Sequence, residues 1–159
     1  MIRDYFLNFG IPGITNSTSK TASTNVYDAG SDIIMFGSGH GMVACWKTVI
    51  TADASPTILI EFVGSDNVDL DPNDNETQMN IVLGSSGIVR ADEDGTALAT
   101  GDTIEGSFAL RDQVISRQYY GGLITLGGTN PDVVAATSYL HVVHSSQTNM
   151  RGPRAAIPA

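Results

Sequence analysis

The feature that most constrains this chain is punctuation. Short apolar segments follow one another from residue 25 to residue 143, and each is cut off by turn chemistry. Such segments, rich in Val, Ile, Thr, Tyr and Phe, predict strands. They are residues 25–28, 32–37, 41–51, 56–63, 77–83, 87–91, 103–110, 118–126 and 136–143. The separators are "GSGHG", "ADASP", "DPNDN", "GSSG", "DEDG" and "GGTNP", where Gly, Pro, Asn and Asp supply the dihedrals that tight turns need. Asp94-Gly95 is a strong tight-turn signal. No helical period of ten or more residues competes: "SRQYYGG" is too short and "DVVAATSYL" too β-branched.

In "TILIEFV", Ile58, Ile60 and Phe62 share one face, which is wholly apolar. Thr57, Leu59, Glu61 and Val63 share the other, which is mixed. One dry face and one mixed face describe one leaf of a sandwich. The predicted class is therefore all-β: an antiparallel β-sandwich, a jelly roll, with an open barrel as the alternative. A chain of 159 residues suits one domain, and it buries enough surface to need neither disulfide nor metal.

The expected organisation has three parts. Residues 1–23 read as an N-terminal arm, because "ITNSTSKTAST" is polar and aperiodic. Tyr5, Phe6, Leu7, Phe9 and Ile11 precede that stretch. This apolar patch either forms a first strand or packs on a partner. Residues 24–146 read as the sandwich, and residues 147–159 as an extended tail. The tail, "NMRGPRAAIPA" at its end, carries Arg151, Arg154 and two prolines and cannot form a helix or a central strand. It reads either as disordered or as an arm lying on a neighbour, its prolines lowering the ordering cost.

The net charge is −9, and it is unevenly spread. Residues 1–50 balance to zero, residues 51–110 carry Arg90 against twelve acids, and residues 111–159 carry +2. An acidic middle repels nucleic acid and anionic membranes, so neither is an expected partner. No stretch approaches the roughly 20 apolar residues of a membrane-spanning helix. The start carries Asp4 and has no long apolar core, so it does not read as a secretory signal.

Candidate chemistry is thin. Cys45, the sole cysteine, lies in an apolar run with no histidine or basic cluster nearby in sequence to lower its pKa, and reads as a buried, inert thiol. Asp69, Asp71 and Asn73 have calcium-loop spacing, but Asp74 stands where the loop needs glycine and Asn80 where it needs glutamate. The spacing from Gly41 to Lys47-Thr48 nearly makes a phosphate loop, but Trp46 replaces a glycine and the segment continues as a strand. His141 and His144 would face opposite sides of a strand and so cannot share a metal. Glu61 and Glu105 are the best pair for glycoside hydrolysis, or else two solvent-facing acids. "GSGHG" is not a nucleophile elbow. No catalytic residue, metal site or cofactor is expected.

Three segments point elsewhere. They are "STNVYDAGS" at 23–31, the acidic turn-rich middle, and "SRQYYGGLITLGGTNPDVVAATSYLHVV" at 116–143. In that order they resemble the small jelly-roll cement (decoration) proteins of tailed-phage capsids, of the Bordetella-podophage type, over about residues 20–144. The shared pattern is a late Arg-aromatic strand, a Gly-Thr turn and a final strand of small and apolar residues. The tail from Thr148 and the proline in "LGGTNPD" depart from it.

The resemblance implies a virion protein on the outer surface of a capsid. It would bind the major capsid protein and itself, as a homodimer or homotrimer, and cement neighbouring subunits without catalysis. Arg and Tyr are enriched at interface hot spots, so Arg117, Tyr119 and Tyr120 are the leading contact candidates. Arg117 as a strand-edge cap and the tyrosines as core remain the alternative. The tail departs from the family pattern and borrows no role from it; on its own composition, Arg151 and Arg154 would pair with capsid acids, and Phe6 and Phe9 are the arm's apolar contacts. The competing function is a glycan-binding sandwich displayed on a virion, with Trp46, Tyr119, Tyr120 and Tyr139 as its aromatic supply.

Overall fold

The computed structural model describes residues 8–15, 17–30, 34–36, 42–50, 54–70, 72, 80–91, 94–111, 113–115, 117–129, 132–135 and 138–144. Ten strands run through them. They are β1 Thr21–Ala22, β2 Tyr27–Asp28, β3 Ile34–Phe36, β4 Met42–Val49, β5 Ala54–Ser65, β6 Ile81–Ser85, β7 Thr103–Ala109, β8 Gln113–Ile115, β9 Tyr119–Thr129 and β10 Tyr139–His144. Every pairing is antiparallel. A five-stranded sheet has the order β1-β9-β5-β6, with β2 also on β9; a three-stranded sheet has the order β10-β4-β7; β3 and β8 form a ribbon. The all-β sandwich is as expected.

The alternation seen in the sequence builds the core. Ile58, Ile60 and Phe62 of β5 are all 0% exposed. They meet Ala44 and Trp46 of β4, Ile104 of β7 and Leu140 and Val142 of β10 in one cluster. Full burial of each such aliphatic or aromatic side chain contributes ~1.5–3 kcal/mol. Between β4 and β5 the chain passes from the small sheet to the large one. It stays there for β6, returns for β7, and crosses again for β9 and for β10.

Most predicted strands appear, with shifted ends. Residues 87–91 do not make a strand; Val89 and Ala91 form isolated bridges to Ile58 and Ala97. β1 and β8 were not foreseen: β1 falls in the polar stretch read as an arm, and β8 is a three-residue segment outside the apolar runs that were read as strands. The Asp94-Gly95 turn is present, with Gly95 at φ 80°.

The arm needs correction. Phe9, Ile11 and Ile14 are core residues, at 0%, 2% and 4% exposure. The Phe9 ring meets Phe62 edge-on, with centroids 4.9 Å apart. The backbone is held as well: Phe9 N–H donates to Leu140 O at 2.8 Å, and Asn25 N–H donates to Phe9 O at 2.8 Å. Asn8 bridges to His141 on the free side of β10. The domain therefore begins at least as early as residue 8, not at 24. The polar stretch misled because it follows the apolar anchor instead of preceding it. Phe6 and residues 147–159 lie outside the described residues.

A second, smaller cluster sits on the outward face of the large sheet. Val63, Leu70 and Leu123 form it, with Tyr119 and Ala22 packed alongside. Phe62 and Val63 are both buried because they point to opposite faces of β5, one into the core and one into this outer cluster; the register shift opposite them puts the extra residue of a β-bulge, Leu83, on β6. Leu70 reaches this face from a loop at φ 59°. Asn80 Nδ2 donates to its carbonyl at 2.6 Å.

Candidate functional site

The end of the large sheet where β9 begins carries three of the contact candidates. Arg117 Nη1 donates to Asp66 Oδ2 at 2.9 Å, tying the start of β9 to the loop after β5. The guanidinium is 27% exposed and the Asp66 carboxylate 57%, so the pair is worth at most about 1 kcal/mol. Arg117 Nε is buried without a partner among the described residues. Tyr119 is half-buried against the outer cluster.

Tyr120 faces the other way and is 0% exposed. Its ring passes over Gly64, where a Cβ would lie 3.1 Å from Tyr120 Cε1 and 3.3 Å from Arg117 Cβ. Burial raises the phenol pKa above its ordinary 10.0, while the Arg117 backbone N–H bonded to the phenol oxygen pulls it down. Tyr120 is thus a core residue, and so is Phe9. Neither offers surface to a partner, which corrects their assignment as contacts. Arg117 and Tyr119 keep partial exposure. Arg151, Arg154 and Phe6 lie outside the described residues.

The carboxylate pair does not form. Glu61 lies on β5 between the core residues Ile60 and Phe62, so it faces outward from the large sheet, 3.3 Å from Lys20 Nζ. Glu105 follows the core residue Ile104 and faces outward from the small sheet, 3.9 Å from Lys47 Nζ. Packed sheets lie about 10 Å apart, so carboxylates on opposite outer faces cannot flank one bond. The phosphate-loop segment is β4, its backbone used in ladders to β7 and β10. His141 also faces outward, stacked on Tyr139 with ring centroids 4.8 Å apart. Of the suggested calcium ligands only Asp69 is described, and it is exposed.

The aromatic supply for a glycan platform is halved. Trp46 is 3% exposed and Tyr120 0%; Tyr119 and Tyr139 are half-buried.

One feature was not visible in the sequence: a cleft of about 640 Å³ along the outer edge of β7. Thr103 to Ser107 form one wall, and Ser86, Val89, Ala91 and Asp94 the other. Trp46 and Lys47 of β4 also line it, as does Asp102, whose Oδ2 accepts from Ala99 N–H at 2.7 Å. Gly106 makes room here, since a Cβ would lie 2.9 Å from the Trp46 ring. Asp102 just before β7 and Glu105 within it gave no usable signal, because any exposed edge strand can carry such acids. No protein-family model matches the chain, and no curated protein shows significant similarity to it.

Proposed function

We propose that this protein is a non-catalytic structural component of a virus particle. It binds the outside of a tailed-phage capsid and joins neighbouring major capsid protein subunits, itself assembling as a dimer or trimer. The observation that carries the reading is the strand order. β10-β4-β7 lies against β1-β9-β5-β6, and the chain changes between these two sheets five times, from β2 to β4, β4 to β5, β6 to β7, β7 to β9 and β9 to β10. Asn8 takes the place beside β10 where an eighth strand would run. That order supports reading the sandwich as a jelly roll, two Greek keys folded face to face. The resembling segments fall on it in a consistent way. Residues 23–31 include β2, and residues 116–143 span β9, at the centre of the large sheet, and most of β10.

A clamp needs a rigid body and separated contact surfaces, and multipoint attachment turns modest contacts into tight binding. Arg117 and Tyr119 at one end of the large sheet form the proposed fixed contact. Arg151 and Arg154 form the proposed cationic one. The acidic middle keeps decorated particles apart.

Cosedimentation with purified capsids, expanded and unexpanded, over a salt series tests this. The expected result is saturable binding at a fixed ratio to the major capsid protein. Absence of binding to both forms removes the proposal.

A further inference from the structure

We propose that the outer edge of β7 is a strand-addition site for an extended segment of another protein, one in which apolar residues alternate with Lys or Arg. The site belongs to the small sheet, not to the Arg117 end of the large one, and it does not depend on the capsid reading.

The backbone supplies the site. β7 pairs with β4 in unbroken register from Val43↔Ala109 to Val49↔Thr103. A hydrogen bond just past each end fixes the phase of this ladder. Leu110 N–H donates to Met42 O at 2.9 Å, and Ile50 N–H donates to Asp102 O at 2.9 Å. Hydrogen-bonded pairs alternate along an antiparallel ladder. Ile104, Gly106 and Phe108 therefore turn their N–H and C=O groups toward β4, and Thr103, Glu105, Ser107 and Ala109 turn theirs away. At Ala109 the outer side is closed by β6, since a Cβ on Gly84 would lie 2.8 Å from Ala109 O. From Thr103 to Ser107 it opens on the cleft of about 640 Å³. No described residue bonds the outward backbone groups of Thr103 or Glu105. A bare edge of this kind is a template for an added strand, held by main-chain hydrogen bonds.

The side chains select the occupant. A residue opposite Glu105 would share its face, on the outside of the small sheet. There Glu105 Oε2 stands 3.9 Å from Lys47 Nζ, and its side chain is 55% exposed, so a second cation can approach it. The next residue of the added strand would point the other way. It would lie beside Ile104, in the cleft, where Val89, Ala91 and Trp46 also form the lining. That position takes an apolar side chain. Asp94 and Asp102 add negative charge to the same cleft, and Lys47 is its one lining cation. Charge complementarity thus calls for a cationic strand. It also sets aside a second copy of this chain, because β7 paired antiparallel with β7 brings Glu105 toward Glu105, and like charges directly opposite are destabilising.

An NMR titration of the isotope-labelled full chain tests the proposal, read at the amides of Thr103, Glu105 and Ser107. The open stretch is about 13 Å long, so the probe is a capped heptapeptide of alternating valine and arginine. One control replaces its arginines with glutamate. A second control keeps the arginines but is N-methylated at every residue, so that it cannot donate to an edge. The arginine peptide should shift these amides saturably and slow their hydrogen exchange, and neither control should. E105K should weaken the peptide's affinity roughly fivefold, as expected for the loss of a cross-strand charge pair. Absence of a saturable response overturns the proposal, as does an equal response to the N-methylated peptide or an unchanged affinity in E105K. Slow exchange of the Thr103 and Glu105 amides in the protein alone also overturns it. The edge is then covered by the chain itself or, where protection rises with protein concentration, by a second copy.

Discussion

Gly121 and Gly122 stand side by side in β9, and a Cβ on either would strike a different neighbour. On Gly121 it would lie 2.6 Å from Leu70 Cδ1, on the outward face; on Gly122 it would overlap Leu140 Cδ2, in the core between the sheets. Adjacent strand residues point to opposite faces, so these glycines let the central strand be approached closely from both sides. Gly122→Ala should cost about 1–3 kcal/mol by overpacking, read as a lowered urea midpoint at unchanged slope. Tyr120 makes a separate prediction about pH. Its folded pKa is raised, mainly by burial, and a raised pKa on a group that is neutral when protonated favours the folded state below the unfolded value. That contribution is fully present below pH ~10 and is lost as pH rises toward and through the folded pKa. Urea midpoints taken from pH 8 to 11 should fall for the wild type, and Tyr120→Phe should flatten the part of that fall due to this phenol. Neither effect was legible in the sequence. "QYYGG" shows two adjacent tyrosines followed by two adjacent glycines, but not which of each faces the core.

At the scale of elements, β5 and β9 are the pair around which the large sheet is built, and the sequence foresaw both. Their apolar residues recur at period two over long enough runs to be read. The segment from Asn8 to Ile14 had no such run. Its role rests on contacts with residues far along the chain: Phe62, Leu140 and Val133. Phe9→Ala should therefore cost about 3–5 kcal/mol, as expected for truncating a buried aromatic, measurable by chemical denaturation. If the segment were a detachable arm, the same substitution would leave stability unchanged. The loop that carries Asp66 and Leu70 shows the same dependence. The sequence marked it only as part of an acidic, turn-rich middle, yet Leu70 is 0% exposed and Arg117 holds Asp66 from 51 residues away.

At the scale of the whole molecule, charge and connectivity matter more than any single group. The negative charge is concentrated in residues 51–110, and the cationic C-terminal segment follows the last strand. Deleting residues 148–159 should shift the melting temperature by no more than about 2–4 °C, since a change of 1 kcal/mol corresponds to that range for a chain of this size. The same deletion should lower occupancy on capsids, measured by cosedimentation. A large loss of intrinsic stability would make the segment part of the fold and would remove its proposed role on a neighbour.

By itself the sequence determined that this protein would be built from antiparallel strands, where most of them would lie, and which faces of the longest would be dry. Those properties follow from side-chain period and turn chemistry, which are local. Only the tertiary structure decided the rest. It drew Phe9 and Tyr120 into the core and sent Glu61 and Glu105 to opposite outer faces. It also left β7 at the edge of its sheet beside a cleft. Each of these depends on which strands become neighbours. Residues distant in sequence settle that through long-range packing, which no local pattern encodes.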